Sequence, residues 1–158
     1  MDDKAVFLKT WLKEAPTTRK VIARIPEGSD YRPDPKARTA REIAWLIVME
    51  DILLIEGLEK GKLEWSEQPV PGTIKEILET YDKHHTSLAE RLSRLDTPAW
   101  ERDIPFLFQG QEVMKATGSE NAWGFLLDQI HHRGQLSTYL RPMGSTVPQI
   151  YGPTADEP

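Results

Sequence analysis

Four stretches of the chain place apolar residues at helical spacing, and clusters of proline and glycine separate these stretches. The first runs from about Asp2 to Ile25, where Pro16 is expected to kink or restart the helix. The others run from Thr39 to about Leu58, from Thr73 to about Leu95, and from near Ser119 to Arg141. This pattern predicts an all-α fold, and more specifically a four-helix bundle.

Two of the predicted helices begin with a capping box. Thr39 is followed by Glu42, and Thr73 is followed by Glu76. In such a pair the threonine side chain accepts a bond from the first turn, and the glutamate reaches back to the threonine N–H. These boxes predict where the second and third helices start.

The segment between the third and fourth helices is less helical in character. Ile104–Phe108 and Val113–Met114 flank Gln109-Gly110-Gln111, a pattern that predicts a short β-hairpin. After Gly144, the tail of residues 145–158 is rich in proline, glycine and small polar residues. We expect this tail to lie along the surface or to fray.

The length of 158 residues predicts a single domain, residues 1–158. The net charge of −5 argues against a nucleic-acid partner, which would favour a basic patch. No run of 18 apolar residues occurs, so no membrane span is expected. The acidic start Met1-Asp2-Asp3-Lys4 differs from a secretory signal, which favours a cytoplasmic location. Because the chain has no cysteine, disulfides and thiolate ligands are excluded.

A row of polar residues lies at the margin of the apolar arc of the fourth helix. At about 100° per residue, Asp128, His132, Gln135 and Tyr139 share one sector of that helix. Such groups are costly to bury unless they are paired, protonated or bound to a metal. The row either faces solvent, forms a satisfied polar network, or contributes to a site.

The second helix carries an acid among its apolar residues. Glu50 falls within the arc that contains Leu46 and Leu54. One interpretation pairs Glu50 with an arginine or lysine of a neighbouring helix, such as Arg24 or Arg133. The other joins Glu50 to Asp128 and His132, since two carboxylates and an imidazole suit zinc, nickel, manganese or iron.

Three motifs carry a family resemblance. The run His131-His132-Arg133-Gly134-Gln135 is followed by Tyr139-Leu140-Arg141, Gly144 and the tail segment Val147–Pro153. Asp30-Tyr31-Arg32-Pro33 precedes Ala40–Trp45. In this order the motifs resemble those of the DinB-like (YfiT-like) superfamily and cover most of the chain.

The resemblance implies a four-helix bundle, a homodimer, and a divalent metal held by three histidines. Characterised relatives include transferases that use low-molecular-weight thiols, so it also implies a small-molecule thiol as partner. Here Leu46 stands at the second-helix histidine position and Asp128 at the first histidine of the fourth-helix pair, and only His132 is retained.

The altered ligand positions leave two interpretations. In the first, Glu50, Asp128 and His132 hold a metal in a transferase or hydrolase of small molecules, with Gln135 and Tyr139 lining the substrate pocket. In the second, the scaffold is a metal-free binding protein or a stress-related structural dimer.

The remaining motif residues are expected to have structural roles. His84 and His85 are predicted to face solvent, and His131 is predicted to lie on the surface because it is about 100° from His132. Arg133 is expected to bind nearby carbonyls or acids, and Gly134 to permit close helix approach.

Overall fold

A computed structural model describes residues 2–158 and shows a mostly helical chain with a small sheet. Its elements are α1 (Asp3–Ile22), α2 (Ala40–Lys60), β1 (Leu63–Trp65), α3 (Ile74–Arg94), α4 (Thr97–Glu101), β2 (Asp103–Phe108), β3 (Gln111–Thr117) and α5 (Gly118–Leu140), with a 3-10 turn at Arg141–Met143. None of the helices within residues 2–158 has an apolar stretch long enough to cross a membrane.

Each of the four long helices packs against two others. α2 and α1 both contact α3 and α5, so the four helices enclose the apolar core. That core forms two clusters, one around Ile43, Ile47 and Leu136, the other around Phe7, Leu58 and Leu126. The prediction of four long helices in this order is confirmed.

The caps of these helices follow from local sequence. Thr39 and Thr73 form the predicted capping boxes with Glu42 and Glu76. α2 ends at Gly61, whose φ of 77° lies in the left-handed region that favours glycine. α5 begins with a third capping box that the sequence interpretation missed, formed by Thr117 and Glu120.

The expected restart of α1 at Pro16 does not occur. The helix continues through this residue from Asp3 to Ile22. Packing explains the difference, since Ala15, Thr18 and Val21 around the proline are buried against the neighbouring helices. Tertiary contacts therefore hold the helix despite the lost backbone hydrogen bond.

The sheet is larger than the predicted hairpin, so the fold is not purely α-helical. β2 and β3 form an antiparallel pair around Gln109 and Gly110, which both have positive φ. β1 adds a third strand, parallel to β2, giving the order β1-β2-β3. Because β1 directly follows α2, the sheet lies beside the α2 and α5 pair.

Candidate metal centre

Three side chains from two adjacent helices converge at one point. Glu50 comes from α2, and Asp128 and His132 come from α5. His132 Nε2 lies 3.5 Å from Asp128 Oδ2 and 4.0 Å from Glu50 Oε1. One potential ligand atom from each residue lies within 4.8 Å of the others. The structure thus brings together the three residues that the sequence proposed as a set.

Helical periodicity explains this convergence. Glu50 lies on the face of α2 that buries Ile43, Ile47 and Leu54. Asp128 and His132 are four residues apart on α5, so they project from the same side of that helix. Because α2 packs against α5, the carboxylate of α2 meets the pair from α5.

Glu50 is a buried acid with one carboxylate oxygen that has no hydrogen-bond partner within residues 2–158. Its side chain is 3% exposed, and the oxygen without a partner is Oε2. Burial, followed by the neighbouring carboxylates of Asp128 and Asp51, raises the pKa of Glu50 to about 10. A buried carboxyl group in this setting must be either protonated or matched by a cation.

The predicted alternative partners of Glu50 lie elsewhere. Arg24 is paired with Glu157, and Arg133 is paired with Glu14. The interpretation that an arginine of a neighbouring helix neutralises Glu50 was therefore wrong. The pairing failed because both arginines point toward acids of α1 or of the tail.

Gln135 orients the imidazole of His132 through the ring nitrogen that faces away from the carboxylates. Its Nδ1 atom lies 3.2 Å from Gln135 Oε1, and Gln135 Nε2 donates to the Tyr139 hydroxyl at 3.4 Å. Because an amide oxygen only accepts, Nδ1 donates to it, and in the neutral imidazole the Nε2 lone pair would then face the carboxylates. This arrangement is typical of a metal-binding histidine with an outer hydrogen-bond partner.

The predicted substrate residues occupy different surroundings. Gln135 lines a cavity of about 610 Å³ together with Arg38, His131 and His132. Tyr139 lies in the apolar core, with its ring edge-to-face to Tyr31 at 5.5 Å. Their role in substrate binding stays a prediction, and the contacts observed for Tyr139 are with Gln135 and the core.

Arg133 and Gly134, which follow His132 in the sequence motif, were both expected to have structural roles. Arg133 is 1% exposed and contacts the Glu14 carboxylate at 2.7 Å, the Glu14 carbonyl, and Thr18. Its guanidinium also donates to the hydroxyl of Tyr151. The prediction for Gly134 was wrong, because a Cβ atom built there meets nothing within 4 Å.

A polar network behind Glu50 was missed in the sequence. The buried carboxylate of Asp51 accepts bonds from Trp11 Nε1 at 3.0 Å and Gln129 Nε2 at 2.6 Å. Burial raises the pKa of Asp51 to about 6, although both hydrogen bonds act to lower it. The signal was available, because two consecutive acids interrupt the apolar sequence of α2.

A groove of about 1070 Å³ opens beside the three converging residues, and we call it the α5 groove. One wall is a face of α5 from Glu120 to His132, and the opposite wall is the β2–β3 hairpin with Trp65. Leu46, Glu50 and Arg38 close one end. Arg38 was not predicted from the sequence, because it lies in the loop before α2 and outside any helical pattern.

His131 is exposed, as predicted, whereas the prediction that His85 faces solvent was wrong. His131 borders the α5 groove, with its ring centroid 5.2 Å from that of His132. Adjacent helical positions can flank one groove when both side chains are long. His85 stacks on Trp11 at 4.3 Å and Tyr81 at 5.6 Å, and burial lowers its pKa.

Comparisons with known proteins decide the family. The sequence model described as the DinB family matches residues 1–158. The chain belongs to the DinB family. The resemblance seen in the sequence motifs is therefore confirmed.

Three similar proteins match most of this chain. The uncharacterized protein YrdA of Bacillus subtilis is 29% identical over 156 residues, covering 96% of this chain and 89% of its own. The crystal structure of a DinB-like protein of Bacillus cereus has a TM-score of 0.72 at 25% identity, covering 92% of this chain and 95% of that one. A DinB-like protein of Bacillus subtilis, YjoA, has a TM-score of 0.72 at 20% identity, covering 91% and 96%.

Proposed function

We propose that this DinB protein is a divalent-metal-dependent enzyme acting on a small molecule, with Glu50, Asp128 and His132 as the ligands. We interpret its four long helices as the four-helix bundle that the sequence predicted. The observation that carries the proposal is the convergence of buried Glu50, whose Oε2 atom has no hydrogen-bond partner within residues 2–158, with an imidazole and a second carboxylate.

The donor set fits such an ion. Two atoms that each lie about 2.1 Å from one ion are at most about 4.2 Å apart. The separations of 3.5 and 4.0 Å from His132 Nε2 to the two carboxylates fall within that limit. Asp128 is 52% exposed, so its carboxylate is free to adjust toward the other two. Oxygen and imidazole ligands suit zinc, nickel, manganese or iron.

The protein residues around the centre have separable tasks. Gln135 fixes the imidazole of His132 so that Nε2 faces the carboxylates. Glu50 and Asp128 supply negative charge, and the exposed face of Asp128 leaves the centre open to the α5 groove. When bound, a divalent cation lowers the pKa of a thiol or water in contact with it. The reaction classes that need this chemistry are thiol transfer and hydrolysis.

Elemental analysis of untagged protein tests the proposal. Wild type is compared with His132→Ala and with His131→Ala, a matched control that removes the adjacent imidazole outside the converging set. We expect about one equivalent of metal per chain in wild type and His131→Ala, and none in His132→Ala, because three ligands are needed for tight binding. Absence of metal from all three proteins after incubation with excess divalent ions would refute the assignment.

One observation favours a second candidate. The neighbouring carboxyl groups of Glu50 and Asp128, with the raised pKa of Glu50, suit a pair that shares a proton without any metal. In that case the chain would be a metal-free binding protein or a structural homodimer on the same scaffold. The metal analysis distinguishes the two, since this candidate requires metal-free protein under all loading conditions.

A further inference from the structure

The α5 groove has a polar end and an apolar length. Asn121, Phe125, Asp128 and His132 follow one face of α5, and they span about 17 Å at 1.5 Å per residue. Facing them are Phe106 and Met114 of the hairpin. Met114 is 51% exposed, and Leu127 on the α5 rim is 62% exposed. This apolar surface leads directly to the centre formed by Glu50, Asp128 and His132.

Arg38 supplies a cation at the polar end. Of the ten arginines, eight donate hydrogen bonds within residues 2–158, whereas Arg32 and Arg38 make no hydrogen bond or ion pair there. Arg38 lines both the α5 groove and the smaller cavity that shares His131 and His132 with it. Arg32 does not line the α5 groove.

The other charged groups of the groove already have partners. Lys115 pairs with Asp103 at 3.7 Å, and Glu120 is bound by the backbone and hydroxyl of Thr117. The charges of Glu50 and Asp128 together balance those of one divalent cation. With such an ion in place, Arg38 is a cation without a hydrogen bond or ion pair at the junction of the centre and the apolar length, and Glu42 is a more distant negative neighbour.

We propose that the α5 groove binds an amphipathic organic acid, with the anionic group on Arg38 and the apolar body along α5 and the hairpin. This inference rests on the proposed function, because it places the acid group of the substrate beside the metal ligands. A guanidinium binds carboxylate and sulfonate groups with charge-assisted hydrogen bonds. The length of the groove suits an acyl chain or a pair of aromatic rings.

Two fluorescent probes that differ by one charge test the proposal. 8-Anilinonaphthalene-1-sulfonate carries an anion, and N-phenyl-1-naphthylamine has the same ring system without it. We expect Arg38→Gln to raise the Kd for the sulfonate about tenfold and to leave the Kd for the neutral probe unchanged, the loss typical of one charge-assisted contact. Arg32→Gln is the matched control and should change neither value.

A second pair of variants tests the apolar wall. Leu127→Gln should weaken both probes, whereas Leu12→Gln, which alters an exposed leucine of α1 outside the groove, should weaken neither. Decanoate should displace the bound sulfonate probe more effectively than decanol. These measurements keep the test independent of the folding of any single variant.

Several outcomes would overturn the proposal. The first is that the sulfonate probe does not bind, and the second is that Arg38→Gln raises the Kd for both probes equally. The third is that probe binding disappears as the protein self-associates, which would assign the groove to a second copy of the chain. The titrations are run on chelator-treated and on metal-loaded protein. Charge discrimination by Arg38 in protein that takes up no metal would support the acid-binding groove and separately refute the metal proposal.

Discussion

At the scale of single residues, Glu50 and Leu46 together describe how this centre differs from the three-histidine pattern implied by the sequence motifs. They lie one turn apart on α2, and both face the α5 groove. Leu46 offers no ligand atom, whereas the Glu50 carboxylate reaches the same histidine from the next turn. Together with Asp128 at a second histidine position, this change replaces two neutral nitrogens by negative oxygens, and the harder set would favour manganese or iron more than three histidines would.

Leu46→His should restore an imidazole beside this carboxylate. We expect the affinity for Zn²⁺ to rise by about tenfold or more, because a fourth donor joins the set. Isothermal titration of chelator-treated protein measures the change. Met114→His, on the hairpin wall of the same groove, is the control and should leave the affinity unchanged. An unchanged affinity in Leu46→His would show that the side chain does not reach the ion.

Residue-level sequence reasoning placed Glu50 correctly and offered two sets of partners, of which Asp128 and His132 are the ones that lie close. Periodicity within α2 predicted that Glu50 is buried, and it is. The same periodicity gives no information about which side chain of another helix lies opposite, so it offered Arg24 and Arg133 as partners beside Asp128 and His132. Arg38 escaped notice for a related reason, because a loop residue has no helical phase from which to infer its direction.

At the scale of elements, the start of α5 depends on a close approach that the sequence does not display. A Cβ atom at Gly118 would lie 2.6 Å from the carbonyl oxygen of Trp100 and 2.9 Å from that of Ala99. These oxygens belong to the backbone of α4 and cannot rotate away. The glycine therefore sets how closely α4 approaches α5.

Gly118→Ala should lower the free energy of unfolding by about 1–3 kcal/mol, because the backbone of α4 must shift. Gly134→Ala, within the same helix, meets no atom within 4 Å and should be neutral or stabilising by up to about 1 kcal/mol through helix propensity. Urea unfolding of both variants measures the difference. Equal effects at the two positions would contradict the close-approach interpretation.

The long helices were predictable from sequence because each carries many periodic apolar residues and a cap. β1 was not, since three residues contain too little alternation to identify a strand. Its partner in the sheet is β2, some forty residues later, and parallel pairing over such a separation leaves no local signal. α4 was missed for the same reason of length, with five residues giving little more than one turn.

At the scale of the whole molecule, the tail is a structural component and does not fray. Glu157 pairs with Arg24 and Asp156 with Arg141, while the Tyr151 hydroxyl bridges Arg133 and Glu14. This bridge joins α1, α5 and the tail through a buried guanidinium. Composition suggested only a polar surface segment, because two of the partners of the tail, Glu14 and Arg24, lie more than a hundred residues earlier.

Tyr151→Phe should lower the free energy of unfolding by about 1.5–3 kcal/mol, since a buried arginine and a glutamate each lose a hydrogen bond. Arg141→Gln breaks a more exposed ion pair of the same tail and should cost less than about 1 kcal/mol. Chemical denaturation at neutral pH compares the two variants with wild type. A Tyr151→Phe loss no larger than that of Arg141→Gln would show that the bridge contributes little.

The contacts of Arg133 with Glu14 and Tyr151 also affect how the molecule binds a ligand. Arg133 and His132 are consecutive, so fixing the guanidinium against α1 and the tail fixes the rotation of α5 about its own axis. The histidine donor is thereby preorganised during folding, and little conformational entropy remains to be lost when a ligand arrives. Association should then involve only small backbone displacement, and its rate should be governed by entry through the groove.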